Sequence, residues 1–341
     1  MLHDKLNRLS GHSAAFRENS HESEEPERYR TIADLLKGEL RSSAAGSFVK
    51  IVTDFDKTYS HGGAAIGELG NRIPIKKIYF HGIDDDCVVD SRSLLFFDIE
   101  TTGLGGAGTV LFLAGFGSIV EGDFQVRQYF LPDYPDEAAM LEAVREEIKE
   151  DTIIVSYNGK SFDWPILTDR MILHRVERNL ECAGHIDLLY SVRRLFRRRL
   201  QDCTLTNVEK HVLDFHRYDD IPGYLVPSIY FNWLSTSDPE GLAGVVKHNL
   251  NDIVSLYFIL HRLAGVQENP PETISEPDDV LSLARILEKR REHEDICRML
   301  EDLDKVSGAY GRSDIMYLQS LAYRRSGKIV EAVRLWDRIA A

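Results

Sequence analysis

Leu94-Leu95-Phe96-Phe97-Asp98-Ile99-Glu100-Thr101-Thr102-Gly103 is an apolar run that ends abruptly in two carboxylates. A run this short, with this many bulky apolar residues, reads as a buried strand rather than a helix. Alternate side chains of a strand share a face, so Asp98 and Glu100 point the same way. Like charges that close repel, and folding them together is costly unless cations sit between them. Hard carboxylate oxygens favour magnesium or manganese over zinc. A polar strand end facing water would need no partners elsewhere in the chain; a metal site needs more acids.

The following segments supply an order of elements. Val110 to Phe116 reads as a second strand and Phe124 to Leu131 as a third. Asp136 to Glu150 reads as an acid-rich amphipathic helix started by Pro135-Asp136, and Thr152 to Tyr157 as a fourth strand. Gly103-Leu104-Gly105-Gly106-Ala107-Gly108 superficially matches a dinucleotide loop, but such a loop must open a helix. Here a strand follows, so the glycines read as a close-approach hairpin connection. Gly244 to Leu263 has the apolar spacing of an amphipathic helix, and His248 and Asp252, four apart, share one of its faces.

Three strands, a helix and a further strand is the order of a ribonuclease-H-like fold. Asp98-Ile99-Glu100-Thr101-Thr102-Gly103, followed by Asn158-Gly159-Lys160-Ser161-Phe162-Asp163-Trp164-Pro165, resembles the first two motifs of the DEDD exonuclease superfamily. In that family the aspartate of the second motif is a metal ligand, and Asp163 matches it; an N-terminal helix cap is its other reading. The third motif resembles His-x-x-x-x-Asp in one subclass and Tyr-x-x-x-Asp in another. This chain has His248-Asn249-Leu250-Asn251-Asp252, a histidine at the tyrosine spacing. With His185-Ile186-Asp187-Leu188-Leu189 and Ile221-Pro222-Gly223, that hybrid is similar to the YprB-type ribonuclease-H-like family, over about Leu94 to Leu263.

The resemblance implies an α/β fold, a ribonuclease-H-like mixed sheet flanked by helices, with a C-terminal helical segment. It also implies a metal-dependent nuclease, most simply a 3′-to-5′ exonuclease, with Asp98, Glu100, Asp163 and Asp252 as ligands. Two-metal phosphodiester hydrolysis places Mg2+ or Mn2+ ions about 4 Å apart, one activating water and one stabilising the leaving oxygen. His248 would take the proton, since an unperturbed imidazole pKa of roughly 6.5 suits a base at neutral pH. Asp187 reads equally as a structural acid and stays outside the ligand set. Because fold does not fix chemistry, a non-catalytic nucleic-acid or protein-binding module is the competing expectation.

Composition limits the partners. A net charge of −14 over 341 residues argues against wrapping by nucleic acid, but not against a local basic surface. Arg193, Arg194, Arg197, Arg198 and Arg199 crowd one segment and form a candidate phosphate-binding surface for DNA or RNA, the alternative being a solvated helix face paired with the acids of Glu142 to Asp151. Thr101, Asn158 and Lys160, beside the motifs, are further candidate contacts. Tyr157, Phe162 and Trp164 could stack on a base, or belong to the core. Four dispersed cysteines predict neither a disulfide frame nor a zinc ribbon, and the N-terminus lacks a signal-like apolar segment, so the expectation is a cytoplasmic protein without membrane contact.

Ile51-Val52-Thr53-Asp54-Phe55-Asp56-Lys57-Thr58 looks like the DxDxT motif of haloacid-dehalogenase phosphatases, but the following segment is short and turn-rich and Asp84-Asp85-Asp86 comes too soon. The expected organisation is a weakly structured lead-in over 1–46 with a short helix from Tyr29 to Leu40, an extension packed on the core over 47–92, the nuclease domain over 93–265, a proline-rich linker over 266–279 and a helical tail over 280–341. Within the tail, Ser320, Tyr323, Gly327, Ala332 and Trp336 resemble the pattern of a tetratricopeptide unit, which predicts a protein-binding module or a helical cap.

Overall fold

The computed structural model describes residues 21–76, 80, 86–103, 105–106, 108–274, 276–307 and 312–341. Seven strands form the central sheet: β1 (Glu39–Ser43), β2 (Gly46–Phe55), β3 (Leu94–Thr101), β4 (Leu111–Val120), β5 (Asp123–Phe130), β6 (Ile153–Ser156) and β7 (Gly184–Asp187). Their order is β1-β2-β5-β4-β3-β6-β7. The first four pairings are antiparallel; β6 pairs parallel with both β3 and β7. β3 to β6, with the intervening helix, follow the predicted mixed ribonuclease-H-like arrangement.

Helices cover both faces. They are α1 (His21–Leu35), α2 (Glu137–Glu147), α3 (Asp163–Leu173), α4 (Leu188–Phe196), α5 (Val226–Thr236) and α6 (Leu242–Glu268). The tail adds α7 (Pro277–Lys289), α8 (His293–Ser307), α9 (Ser313–Arg325) and α10 (Ile329–Ala340). Strand parity sorts the core. Leu95, Phe97 and Ile99 pack with Ile32, Met140, Leu167, Tyr230 and Trp233 beneath α1, α2, α3 and α5. Leu94 and Phe96 face the other way, with Val192, Ile253, Tyr257 and, from the tail, Val280 and Leu283. Each fully buried side chain of this kind contributes about 1.5–3 kcal/mol. Asp98 and Glu100 have the parity of Phe96, and therefore face α6.

Two glycines let α6 lie close. Gly115 and Gly117 on β4 pair with Asp98 and Phe96, on the face where a side chain at 115 would collide with Ile253 and Asn249, and one at 117 with Phe124 and Ile253. Absence of a side chain at both positions brings the helix down onto the strand that carries the acids.

Three features depart from the expected organisation. The lead-in and extension are not merely packed on the core: Glu39 to Phe55 form a hairpin inside the sheet, where β2 pairs with β5, and the helix expected from Tyr29 to Leu40 is α1, which begins earlier, at His21, and ends at Leu35, before the hairpin. The boundary expected between 46 and 47 falls in that hairpin, because β2's buried Phe48, Val49 and Ile51 belong to the same core cluster as Ile32 of α1. The linker is also largely helical. α6 continues to Glu268, and Pro270 and Pro277 each stand in the first turn of a helical segment, where a missing N–H costs nothing. Residues 1–20, Asp84 and Asp85 of the acidic triplet, Leu104 and Ala107 lie outside the described residues.

The phosphatase-like segment is the end of β2 and a turn, where the exposed Asp56 accepts from the Thr58 backbone at 2.7 Å. Among the described residues no helix is long and apolar enough to cross a membrane.

Candidate metal centre

β3 delivers Asp98 and Glu100, α3 delivers Asp163 and α6 delivers His248 and Asp252. Ligand atoms of Glu100, His248 and Asp252 all lie within 4.8 Å of one another. Asp98 and Asp163 join the same electrostatic cluster. Burial, then the charges of Asp252, Asp163 and Glu100, hold the Asp98 carboxyl well above the usual carboxylate range. Burial, then Asp252 and Asp163, do the same to Glu100. Asp163 is pushed up to about 8 by burial, Asp187 and Asp252. The compact group is Glu100, His248 and Asp252, and Asp98 and Asp163 lie close enough for the acids to raise one another; carboxylates so placed would suit hard divalent cations. A cation there would replace the protons that the acids otherwise retain.

Asp163 opens α3, but no side-chain capping bond forms there: Phe162 is the N-cap residue. A different acid shapes the approach. Asp187, fully buried at the end of β7, accepts from the backbone N–H groups of Asn158 at 2.8 Å, Lys160 at 3.2 Å and Leu189 at 3.1 Å. Asn158, at φ 65, and Gly159 turn the chain tightly over Asp163; a side chain at 159 would press within 2.8 Å of its Oδ2. Asp187 is therefore the acid that shapes the second-motif loop. Its neighbour His185 bonds Ser156 at 2.7 Å.

Partners that the motifs did not mark hold the other candidate residues. Asn249 is fully buried and donates from Nδ2 to Asp98 Oδ2 at 2.8 Å, while its Oδ1 accepts from Gln128 at 2.8 Å. Gln128 also donates to the Val246 carbonyl at 2.8 Å, so β5, α6 and β3 are joined through one amide chain. His248 Nδ1 lies 3.0 Å from both oxygens of Asp220, and its Nε2 lies 3.7 Å from Asp252 Oδ2.

Arg217 is the hub of this side of the site. Its side chain is 4% exposed and pairs with Glu209 at 2.5 Å, Asp220 at 2.9 Å and, more closely, Asp252. Burial works against the charged guanidinium, but Asp252, Glu209 and Asp220 outweigh it and hold the group protonated. Glu209 comes from a π-helical turn, Glu209–Leu213, a local rarity often found at functional sites. It also accepts from Ser255, which bonds His61 of the extension at 3.0 Å. Residues before β3 thus buttress the network from below.

The remaining candidates sit as follows. Thr101 is buried, and its hydroxyl donates to the Gly103 carbonyl at 2.7 Å. Arg199 pairs with Asp279 of α7 at 2.8 Å and donates to the His211 carbonyl at 2.7 Å. Arg193, Arg194, Arg197 and Arg198 are exposed. Tyr157 donates to the Cys203 carbonyl at 2.6 Å, and Trp164 stands edge-on to Phe97, with ring centres 6.3 Å apart.

Residues 95–264 match the model of the RNase_H superfamily. The chain is 34% identical over 254 residues to the uncharacterized protein YprB of Bacillus subtilis (strain 168), an alignment covering 74% of this chain and 61% of that protein. The chain therefore spans less than two thirds of that relative's length. The family B DNA polymerase from the hyperthermophilic archaeon Pyrobaculum calidifontis aligns at 18% identity with a TM-score of 0.37, over 82% of this chain and 34% of that one.

Proposed function

We propose that the chain is a metal-dependent nuclease of the DEDD type, acting from the 3′ end of DNA or RNA; the match of residues 95–264 to the RNase_H superfamily model and the mixed ribonuclease-H-like sheet support that reading. The reading rests chiefly on the meeting of Asp98, Glu100, Asp163 and Asp252 beside His248. Those four carboxylates would hold Mg2+ or Mn2+, most simply as a pair; when bound, the ions supply charge neutralisation at the phosphodiester and a more acidic water.

The chain's own residues account for the rest. His248 serves as general base through Nε2, while Asp220 on Nδ1 fixes the ring and selects the tautomer that leaves Nε2 free to accept. Asn249 orients the Asp98 carboxylate by occupying one oxygen, which leaves the other for a cation. Arg217 holds Asp252 Oδ1 and the Asp220 carboxylate, so that the acids flanking the base keep one geometry. The tail's resemblance to a tetratricopeptide unit carries a proposed protein contact, supported by Trp336 of α10 donating to Ser320 of α9 at 2.7 Å, two of the positions that carry the likeness.

One observation favours a second reading. Arg217 already gives Asp252 a cationic partner, as a non-catalytic nucleic-acid-binding module could do without metal. Incubation with 5′-labelled single- and double-stranded DNA and RNA in Mn2+ separates the two. A ladder shortening from the 3′ end, absent in Asp98→Ala, is expected. Binding without cleavage in both Mg2+ and Mn2+ would favour the second reading.

A further inference from the structure

A groove of about 680 Å³ lies where α4 meets the first tail helix, α7. Arg194 and Arg198 line one wall; Arg285, Lys289 and Arg290 line the other, with the buried Ile286 between them. On α7 the spacing of 282, 285, 286 and 289 is that of one helical stripe, so Arg285 and Lys289 project from the same face. Arg194 and Arg198 are likewise four apart. Among the described residues no carboxylate lines this groove.

This concentration of cations runs against the chain's charge of −14. The nearest acids are engaged outside the lining. Asp278 lies 3.9 Å from Arg198 and accepts from Arg312 at 2.6 Å. Glu292 is 3.4 Å from Arg290. Arg199 and the buried Asp279 join the end of α4 to the start of α7 at 2.8 Å, which fixes the two walls relative to each other. Even with Arg198 and Arg290 sharing acids at the rim, the lining presents five cationic side chains and no carboxylate, a setting complementary to a polyanion.

We propose that this groove binds the phosphate backbone of a nucleic-acid strand, so that the tail helix supplies part of the grip on the substrate. The proposal takes its choice of polyanion from the nuclease reading. It adds that the grip is composite, with α7 providing the wall opposite Arg194 of α4 and Arg198 of the turn that follows it.

The test uses the full chain and its Arg285→Gln/Lys289→Gln variant, both changes lying on exposed side chains. Binding of a labelled single-stranded oligonucleotide is followed by anisotropy in EDTA, across a range of salt. Each phosphate contact on a single strand contributes about 0.7 to the slope of log affinity against log salt. The variant is expected to bind at least about tenfold more weakly at low salt, with the slope shallower by about 1.4. As a second measurement on the wild-type chain, the oligonucleotide is expected to protect Lys289 from amine acetylation. Unchanged slope and affinity, or Lys289 equally reactive with and without oligonucleotide, would overturn the proposal. So would poly-glutamate binding as tightly as the oligonucleotide. The two readings fail separately: a slope difference without hydrolysis in Mn2+ would remove the nuclease and keep the groove, while hydrolysis with an unchanged slope would do the reverse.

Discussion

His248 Nδ1 sits 3.0 Å from both carboxylate oxygens of Asp220, a residue 28 positions earlier in the chain. Burial alone would raise the Asp220 pKa, but Arg217 and His248 outweigh it and hold the carboxyl below its usual value. An ionised acceptor therefore faces the imidazole. Asp220→Asn keeps the shape but removes the charge, and misorienting a group of this kind costs about 10–100-fold in activity. The expected result in steady-state hydrolysis is a fall in kcat of that size with KM little changed. A variant whose losses appear in KM alone would show that Asp220 has no hold on a catalytic role of His248.

Arg217 holds three carboxylates in a region where its side chain is 4% exposed. Removing one member of a buried charge network costs about 3–5 kcal/mol, because the partners are left uncompensated. Arg217→Ala is expected to lower Tm accordingly in EDTA. Mn2+ should restore more of that loss than it adds to wild type, since Asp252 then gains a cation. Arg217→Lys should rescue only in part, a single ammonium being unable to span Glu209, Asp220 and Asp252 as the guanidinium does.

The raised carboxyls give a pH dependence of defined sign. Unfolded aspartate titrates near about 3.9, whereas Asp163 in the fold is pushed up to about 8, and Asp98 and Glu100 are also held high. Between those limits these three carboxyls bind more protons in the folded, metal-free protein than in the unfolded chain, so their contribution to stability falls as pH rises. Buried His61 and His185, held down at about 3 and about 4, act oppositely up to an unfolded imidazole value of about 6.5, so the decline is expected from about 6.5 to about 8. Melting curves in EDTA should show that decline, and saturating Mn2+ should reverse it, with the greatest gain at the alkaline end. Asp98→Asn, which removes one of the repelling charges, should raise the metal-free Tm at pH 8 by an amount equivalent to about 1–3 kcal/mol.

Gly115 sets the distance between α6 and β3. A methyl group there meets Ile253 and Asn249, and overpacking of this kind costs about 1–3 kcal/mol. Because Asn249 holds Asp98 and lies on the same helix as Asp252, Gly115→Ala should lose activity even at temperatures where circular dichroism shows it fully folded. Activity that tracked the folded fraction alone would separate the helix position from the chemistry.

The strand and helix that carry the acids were readable because their periodicities are strong. Four apolar residues before Asp98 specify β3 and its parity, and the stripe through Val246, Leu250 and Ile253 specifies α6. Asn249 left a signal, being a polar residue on a helix where Val245, Val246 and Ile253 define the apolar side, yet it ends fully buried. Arg217, Asp220 and Glu209 left almost none. They lie in an irregular stretch entered through a π-helical turn, where no period relates a side chain to a face, and only the adjacent Ile221-Pro222-Gly223 marked the region. The β1–β2 hairpin was missed because an added sheet strand and a packed extension share the same short alternating pattern.

Calorimetric titration of the metal-free protein with Mn2+ at pH 7, run in two buffers of different ionisation enthalpy, tests the central claim most directly. The account predicts saturable binding accompanied by proton release, with both lost in Asp98→Asn and Asp252→Asn. Absence of saturable binding, or binding unaltered by either substitution, would contradict it.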